Sequence, residues 1–138
     1  KVIENYADNL PMITASWEHL ESVWLNILVN ARDAVESRSE NRQIEIITCL
    51  IEENYCVQIL IRDNGKGMSA AEAEHIFEPF YTTKDPGKGT GLGLATSHRI
   101  IEQHNGDINV VSNLNEGTTF IIRLPIEQED ILKTAQES

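Results

Sequence analysis

The run Gly89-Thr90-Gly91-Leu92-Gly93-Leu94-Ala95 constrains this chain more than any other stretch. Its alternating glycines let the backbone be approached closely. The residues that follow read as a helix from Thr90 to about His104, stopped by Asn105-Gly106. A helix start offers unpaired N–H groups and the positive end of the helix dipole, which favour phosphate. Tight packing of the helix on a neighbour explains the run equally well when it is taken alone. It is not a P-loop, because no Gly-Lys-Ser/Thr follows at the required spacing. Nor is it a dinucleotide fingerprint, because the first strand–helix turn and the acid about 20 residues on are missing.

Charge makes a local phosphate site necessary if the ligand is anionic. The chain has 138 residues, with 22 Asp and Glu against 11 Lys and Arg, a formal charge of −11. Both halves are acidic, which argues against non-specific nucleic-acid binding and against adhesion to anionic lipid. The length suits one domain, read as residues 1–125, with 126–138 as a polar tail or linker. No apolar run reaches the ~20 residues of a membrane span, and no secretory signal opens the chain. A cytoplasmic location is expected for this domain, with membrane anchoring of the full-length protein left open. Two cysteines, Cys49 and Cys56, make neither a disulfide scaffold nor a metal motif.

Along the chain, residues 1–7 read as a strand. Ser16 is a good N-cap for a helix from Trp17 to about Ser37, whose apolar residues recur at three- and four-residue steps. Gln43–Ile51 and Tyr55–Asp63 read as a hairpin around Glu52-Glu53. Pairing positions that sum to 105 sets Ile44 opposite Ile61 and Cys49 opposite Cys56. Ser69 caps a short helix to about Ile76, and residues 78–90 form a loop. Asp107–Asn113 and Thr118–Leu124 form a second hairpin turned by Asn115-Glu116-Gly117.

Three further segments carry candidate chemistry. Asp63-Asn64-Gly65-Lys66-Gly67-Met68 puts a carboxylate at a strand end, able to accept a hydrogen bond from an exocyclic amine such as adenine N6. An ordinary Asp-Asn-Gly turn is the plainer reading. Asn26, Asn30 and Asp33 share a helix face; an Asn carbonyl suits Mg²⁺, although taken alone a solvated face is the plainer reading. Phe77-Glu78-Pro79-Phe80 either anchors a loop or fills the core, and Lys66, Lys84 and Lys88 lie near the glycines. The four histidines show no metal-ligand spacing.

Taken in order, five segments resemble the boxes of the catalytic ATP-binding domain of bacterial sensor histidine kinases. They are Asn-x3-Asn-Ala-Arg-Asp-Ala, Asp-Asn-Gly-Lys-Gly-Met, Phe-Glu-Pro-Phe-Tyr-Thr-Thr-Lys, Gly-Thr-Gly-Leu-Gly-Leu-Ala and Gly117-Thr118-Thr119-Phe120. The wider superfamily includes gyrase and MutL. The resemblance covers about residues 10–125. It implies the Bergerat ATP-binding fold, an α/β two-layer sandwich. Three helices would cover one face of a mixed, mainly antiparallel sheet of about five strands.

The same resemblance implies ATP and Mg²⁺ as cofactors. Asn30 would ligate the metal and Asn26 would support the phosphate side. Asp63 would read adenine N6 with Thr118, in a pocket shaped by Gly65, Gly67 and Met68. Gly89, Thr90, Gly91, Leu92, Gly93 and Leu94 would hold phosphates. Phe80, Thr82, Thr83 and Lys84 would contribute from the lid, Lys84 reaching the γ-phosphate. By the same resemblance Asp33 would also face the nucleotide. Many family members carry Lys at that position, so a phosphate contact is lost there and Arg32 or Lys84 is its candidate replacement. The lid, about Tyr81–Thr90, is as short as in nitrogen-regulator and oxygen-sensor kinases.

Gyrase and MutL relatives carry a water-activating Glu where this chain has Asn26, and Asn is no base. The resemblance therefore implies phosphoryl transfer to a protein histidine rather than ATP hydrolysis. None of the four histidines sits in the His-Glu context of a phosphoacceptor. The expected partners are a separate dimerisation and histidine-phosphotransfer domain and a cognate response regulator, with no nucleic acid. The isolated domain is expected to be a monomer and the whole protein a homodimer. A serine kinase or anti-sigma regulator, an ATP-gated module of the gyrase or MutL kind, and a degenerate pseudokinase are the competing readings.

Overall fold

A computed structural model describes residues 1–82, 84, 87 and 91–126. Eight elements follow in order: β1 (Val2–Tyr6), α1 (Trp17–Val35), β2 (Ile44–Ile51), β3 (Cys56–Asp63), α2 (Ala70–His75), α3 (Gly93–Gln103), β4 (Asp107–Asn113) and β5 (Gly117–Pro125). The strands form one sheet in the order β1-β2-β3-β5-β4. Only β1 and β2 run parallel; the other pairs are antiparallel. The helices lie on one face, giving the expected two-layer sandwich.

Period explains the core. Leu20, Val23, Ile27 and Ala31 recur at three- and four-residue steps, and all are buried on one side of α1. Strand β5 alternates strictly, with Thr118, Phe120, Ile122 and Leu124 facing the helices. Val23, Ile27, Ile101 and Ile122 lose all contact with water. Ser16 caps α1 through its side chain, and Ser69 with Glu72 forms a full capping box on α2. Among the described residues no helix is long and apolar enough to cross a membrane.

The first hairpin departs from its expected register. Ile44 pairs with Asp63, Ile46 with Ile61 and Ile51 with Cys56. The sum is therefore 107, not 105, and Cys49 lies opposite Gln58. Both thiols are free. A slip of two residues keeps every side chain on its own face, so the apolar pattern cannot distinguish the two registers. The turn decides it. Residues 52–55 make a wider turn, closed by the Tyr55 N–H on the Glu52 carbonyl at 3.3 Å, with Tyr55 at φ 47.

Helix α3 also starts later than expected. Gly91 has φ 72, which no helix residue adopts, so the helix opens at Gly93 rather than Thr90. Gly117 belongs to β5, opposite Asn113, rather than to the turn before it. The tail 127–138 lies outside the described residues.

Candidate functional site

A cleft of about 590 Å³ opens between the C-terminal half of α1, the turn after β3 and the start of α3. Asn30, Asp33, Asp63, Gly67, Met68, Lys84, Leu94 and Thr118 all line it. Eight residues singled out from five separate segments thus meet around one space.

Asp63 sits at the cleft's inner end, only 5 % exposed. Its Oδ1 accepts the Gly65 N–H at 2.9 Å. Burial pushes its pKa above the ordinary carboxylate value, opposed by the Gly65 and Thr118 backbone amides. The turn that holds it is braced from both sides. The Lys66 N–H donates to the Ala34 carbonyl of α1 at 3.1 Å, and the Asn115 N–H donates to the Lys66 carbonyl at 2.7 Å. Gly67 has φ 67, and a Cβ there would strike the Asn113 carbonyl oxygen. Only glycine fits that point.

Ser112 is not among the expected site residues. Its hydroxyl accepts the Met68 N–H at 2.8 Å, donates to the Gly117 carbonyl at 3.0 Å and lies 2.8 Å from the Thr118 hydroxyl. The signal for it lies in the second hairpin, whose pairing puts Ser112 directly opposite Thr118.

Asn30 and Asn26 take different roles. The Asn30 amide nitrogen donates to the Asn26 carbonyl at 2.7 Å. A carbonyl only accepts, so the amide orientation is fixed and Oδ1 is the atom left for a ligand. Asn26 turns toward α3 instead. Its amide nitrogen donates to the Gly93 carbonyl at 3.0 Å and to the Ser97 hydroxyl at 3.2 Å. Ser97, itself fully buried, is also not an expected site residue, although it stands one helical turn after Gly93.

At the cleft rim the Lys84 ammonium donates to Asp33 Oδ2 at 2.6 Å. Arg32 reaches Asp33 Oδ1 at 3.1 Å. Chiefly through the Lys84 hydrogen bond, the Asp33 carboxyl is held below its ordinary pKa. Phe80 is exposed and does not line the cleft; its N–H donates to the Gly91 carbonyl at 2.8 Å, tying the loop's two described ends together. Gly65 packs behind Asp63 against Ala34, and Leu92 stands at the N-cap position of α3. The Thr82 hydroxyl accepts the Lys84 N–H at 3.1 Å. Thr83, Lys88, Gly89 and Thr90 lie outside the described residues.

Asn30 Oδ1 is a hard oxygen of the kind that Mg²⁺ accepts. Among the described residues no three His, Cys, Asp or Glu side chains could hold a metal. The single hard oxygen of Asn30 suits an ion that keeps its waters and phosphates.

Residues 16–128 match the family described as histidine kinase-, DNA gyrase B- and HSP90-like ATPases. The chain belongs to that family, and its two-layer sandwich is the family's fold. Among curated relatives it is 42 % identical over 127 residues to the signal transduction histidine-protein kinase AtoS of Escherichia coli K12, covering 92 % of this chain and 20 % of that protein. It is 40 % identical over 119 residues to the sensor histidine kinase ZraS of the same strain, covering 86 % of this chain and 24 % of that protein. The chain thus spans a quarter or less of these relatives. Among solved structures, full-length ShkA in complex with AMPPNP superposes with TM-score 0.77 at 26 % identity, over 91 % of this chain and 25 % of that one. The nucleotide-free catalytic domain of histidine kinase ThkA gives 0.70 at 30 % identity, over 90 % of this chain and 78 % of that one.

Proposed function

We propose that this chain is the ATP-binding catalytic domain of a two-component sensor histidine kinase. It binds Mg-ATP and transfers the γ-phosphoryl group to a histidine on a separate dimerisation domain. A cytoplasmic setting and a cognate response regulator downstream belong to the same reading. The observation that carries it is Asp63, a buried carboxylate at the closed end of a cleft whose rim holds Asn30 and Lys84. A buried acid with its own amide donors is suited to accept a base amine.

The residues divide the work. Asp63 and Thr118 bind adenine, while Gly67 and Met68 shape the wall beside it. Asn30 offers Oδ1 toward the phosphates, where bound Mg²⁺ would neutralise charge and orient the γ-phosphate. Lys84 adds a cation at the rim. Asn26 holds the start of α3 in place, with Gly91, Leu92 and Gly93 leading into it. Transfer breaks the bond between the γ-phosphorus and the β–γ bridging oxygen and forms a bond to an imidazole nitrogen. ADP leaves, and the imidazole needs no base from Asn26. Positioning and charge neutralisation are most of what phosphoryl transfer asks of a protein.

Calorimetric titration with a non-hydrolysable ATP analogue, with and without Mg²⁺, tests the reading. Binding strengthened by Mg²⁺ and lost in Asp63→Ala is expected. No heat at millimolar analogue overturns it. With a histidine domain supplied, Asn30→Ala is expected to abolish transfer; near-normal labelling would remove Asn30 from the metal role.

A further inference from the structure

Asp33 is bound through both carboxylate oxygens to different cations. Oδ2 takes the Lys84 ammonium at 2.6 Å, and Oδ1 takes the Arg32 guanidinium at 3.1 Å. The three side chains carry a net charge of one positive unit in a chain of −11, and all three line the cleft. The arms are unequal. The Lys84 and Asp33 side chains are 28 % and 27 % exposed, whereas Arg32 is 65 % exposed. The Lys84 arm is therefore the better defined.

A lysine side chain is a flexible four-carbon stem that loses rotamer freedom when fixed. Held in advance, it loses less on meeting a ligand. An ammonium has three N–H donors, and one bond to Asp33 leaves two. Asp33 stands one helical turn after Asn30, on the same wall of the cleft.

We infer that Asp33 is a positioning residue: it holds the Lys84 ammonium over the cleft with two N–H donors left for the nucleotide's phosphate oxygens. The inference rests on the nucleotide reading above. Asp33 touches no phosphate itself, and Arg32 offsets part of its charge.

A double-mutant cycle on the 138-residue chain tests this by calorimetry. The probes are a non-hydrolysable ATP analogue with Mg²⁺, and adenosine alone. A partly exposed ion pair contributes up to ~1 kcal/mol, so Lys84→Ala and Asp33→Asn should each weaken analogue binding about fivefold. The double variant should bind no more weakly than either single variant, and adenosine affinity should stay within about twofold throughout. Analogue affinity that is unchanged or raised in Asp33→Asn overturns the inference, as do losses that multiply. A loss that extends to adenosine overturns it in favour of a structural role. A wild-type chain that binds adenosine as tightly as the analogue sinks the Lys84–phosphate contact and this inference alone. A wild-type chain that binds neither sinks the nucleotide reading, and this inference with it.

Discussion

Asp63 is asked to be both a cost to the fold and a reader of the ligand. Its folded pKa is raised by burial. Between its unfolded and folded pKa values the native state holds the extra proton, so stability falls as pH rises through that window. Above the folded pKa the whole cost of the buried carboxylate is present. Asp63→Asn removes that cost. Melting at neutral pH is expected to move to higher temperature, and the acid-range slope of stability against pH to flatten, both checked by thermal scans from pH 4 to 8. Binding should move the other way. In this variant the Gly65 N–H holds the carbonyl oxygen of the new side-chain amide, as it holds Asp63 Oδ1 at 2.9 Å, which turns an NH₂ group toward the adenine amine. A donor facing a donor costs roughly 1–3 kcal/mol, so nucleotide affinity should drop at least about fivefold. A variant that is more stable and binds equally well would show that Asp63 does not read adenine.

The elements are joined by few side chains, and those joints divide what was legible from what was not. Helices α1 and α3 run antiparallel and are pinned at two points. Near one end the Ser16 N–H donates to His104 Nε2 at 3.1 Å, while His104 Nδ1 meets the Ile100 carbonyl at 2.7 Å. An acceptor Nε2 and a carbonyl partner at Nδ1 require the neutral ring with its proton on Nδ1. Near the other end Asn26 holds Gly93 and Ser97. Asn26→Ala and His104→Ala are each expected to lower stability by about 1–2 kcal/mol, read from urea midpoints. Only Asn26→Ala should also weaken binding of an ATP analogue, because it frees the turn before α3. Equal binding losses in both variants would mean that general loosening, not placement of that turn, is responsible. The helices and strands themselves were legible because caps and apolar periods are local signals, as at Ser16 and Ser69. The β2–β3 register was not, because a two-residue slip leaves the pattern intact and only Tyr55's backbone decides it. Asn26 stood out in the sequence as part of a polar helix face, but its turn toward α3 did not. Which way a helix face turns depends on a partner 67 residues away.

For the whole molecule the governing quantity is charge. The chain carries −11, yet its cleft wall is balanced, with Arg32, Lys66 and Lys84 against Asp33, Glu36 and Asp63. An incoming nucleotide therefore meets a repulsive field at long range and a neutral one on arrival. Salt acts on the two unequally. The screening length shrinks from about 30 Å at 0.01 M to about 8 Å at 0.15 M, which erases the distant field but barely touches contacts made inside the cleft. The association rate of a fluorescent ATP analogue should therefore rise with ionic strength over that range, by about two- to fivefold, the reverse of electrostatic attraction. Dissociation should change less, because the contacts proposed for it, to Asp63, Asn30 and Lys84, are made inside the cleft. Stopped-flow mixing at fixed Mg²⁺ separates the two rates. An association rate that falls with salt would mean that the three cations of the wall, rather than the acids of the whole chain, govern the field at the mouth of the cleft.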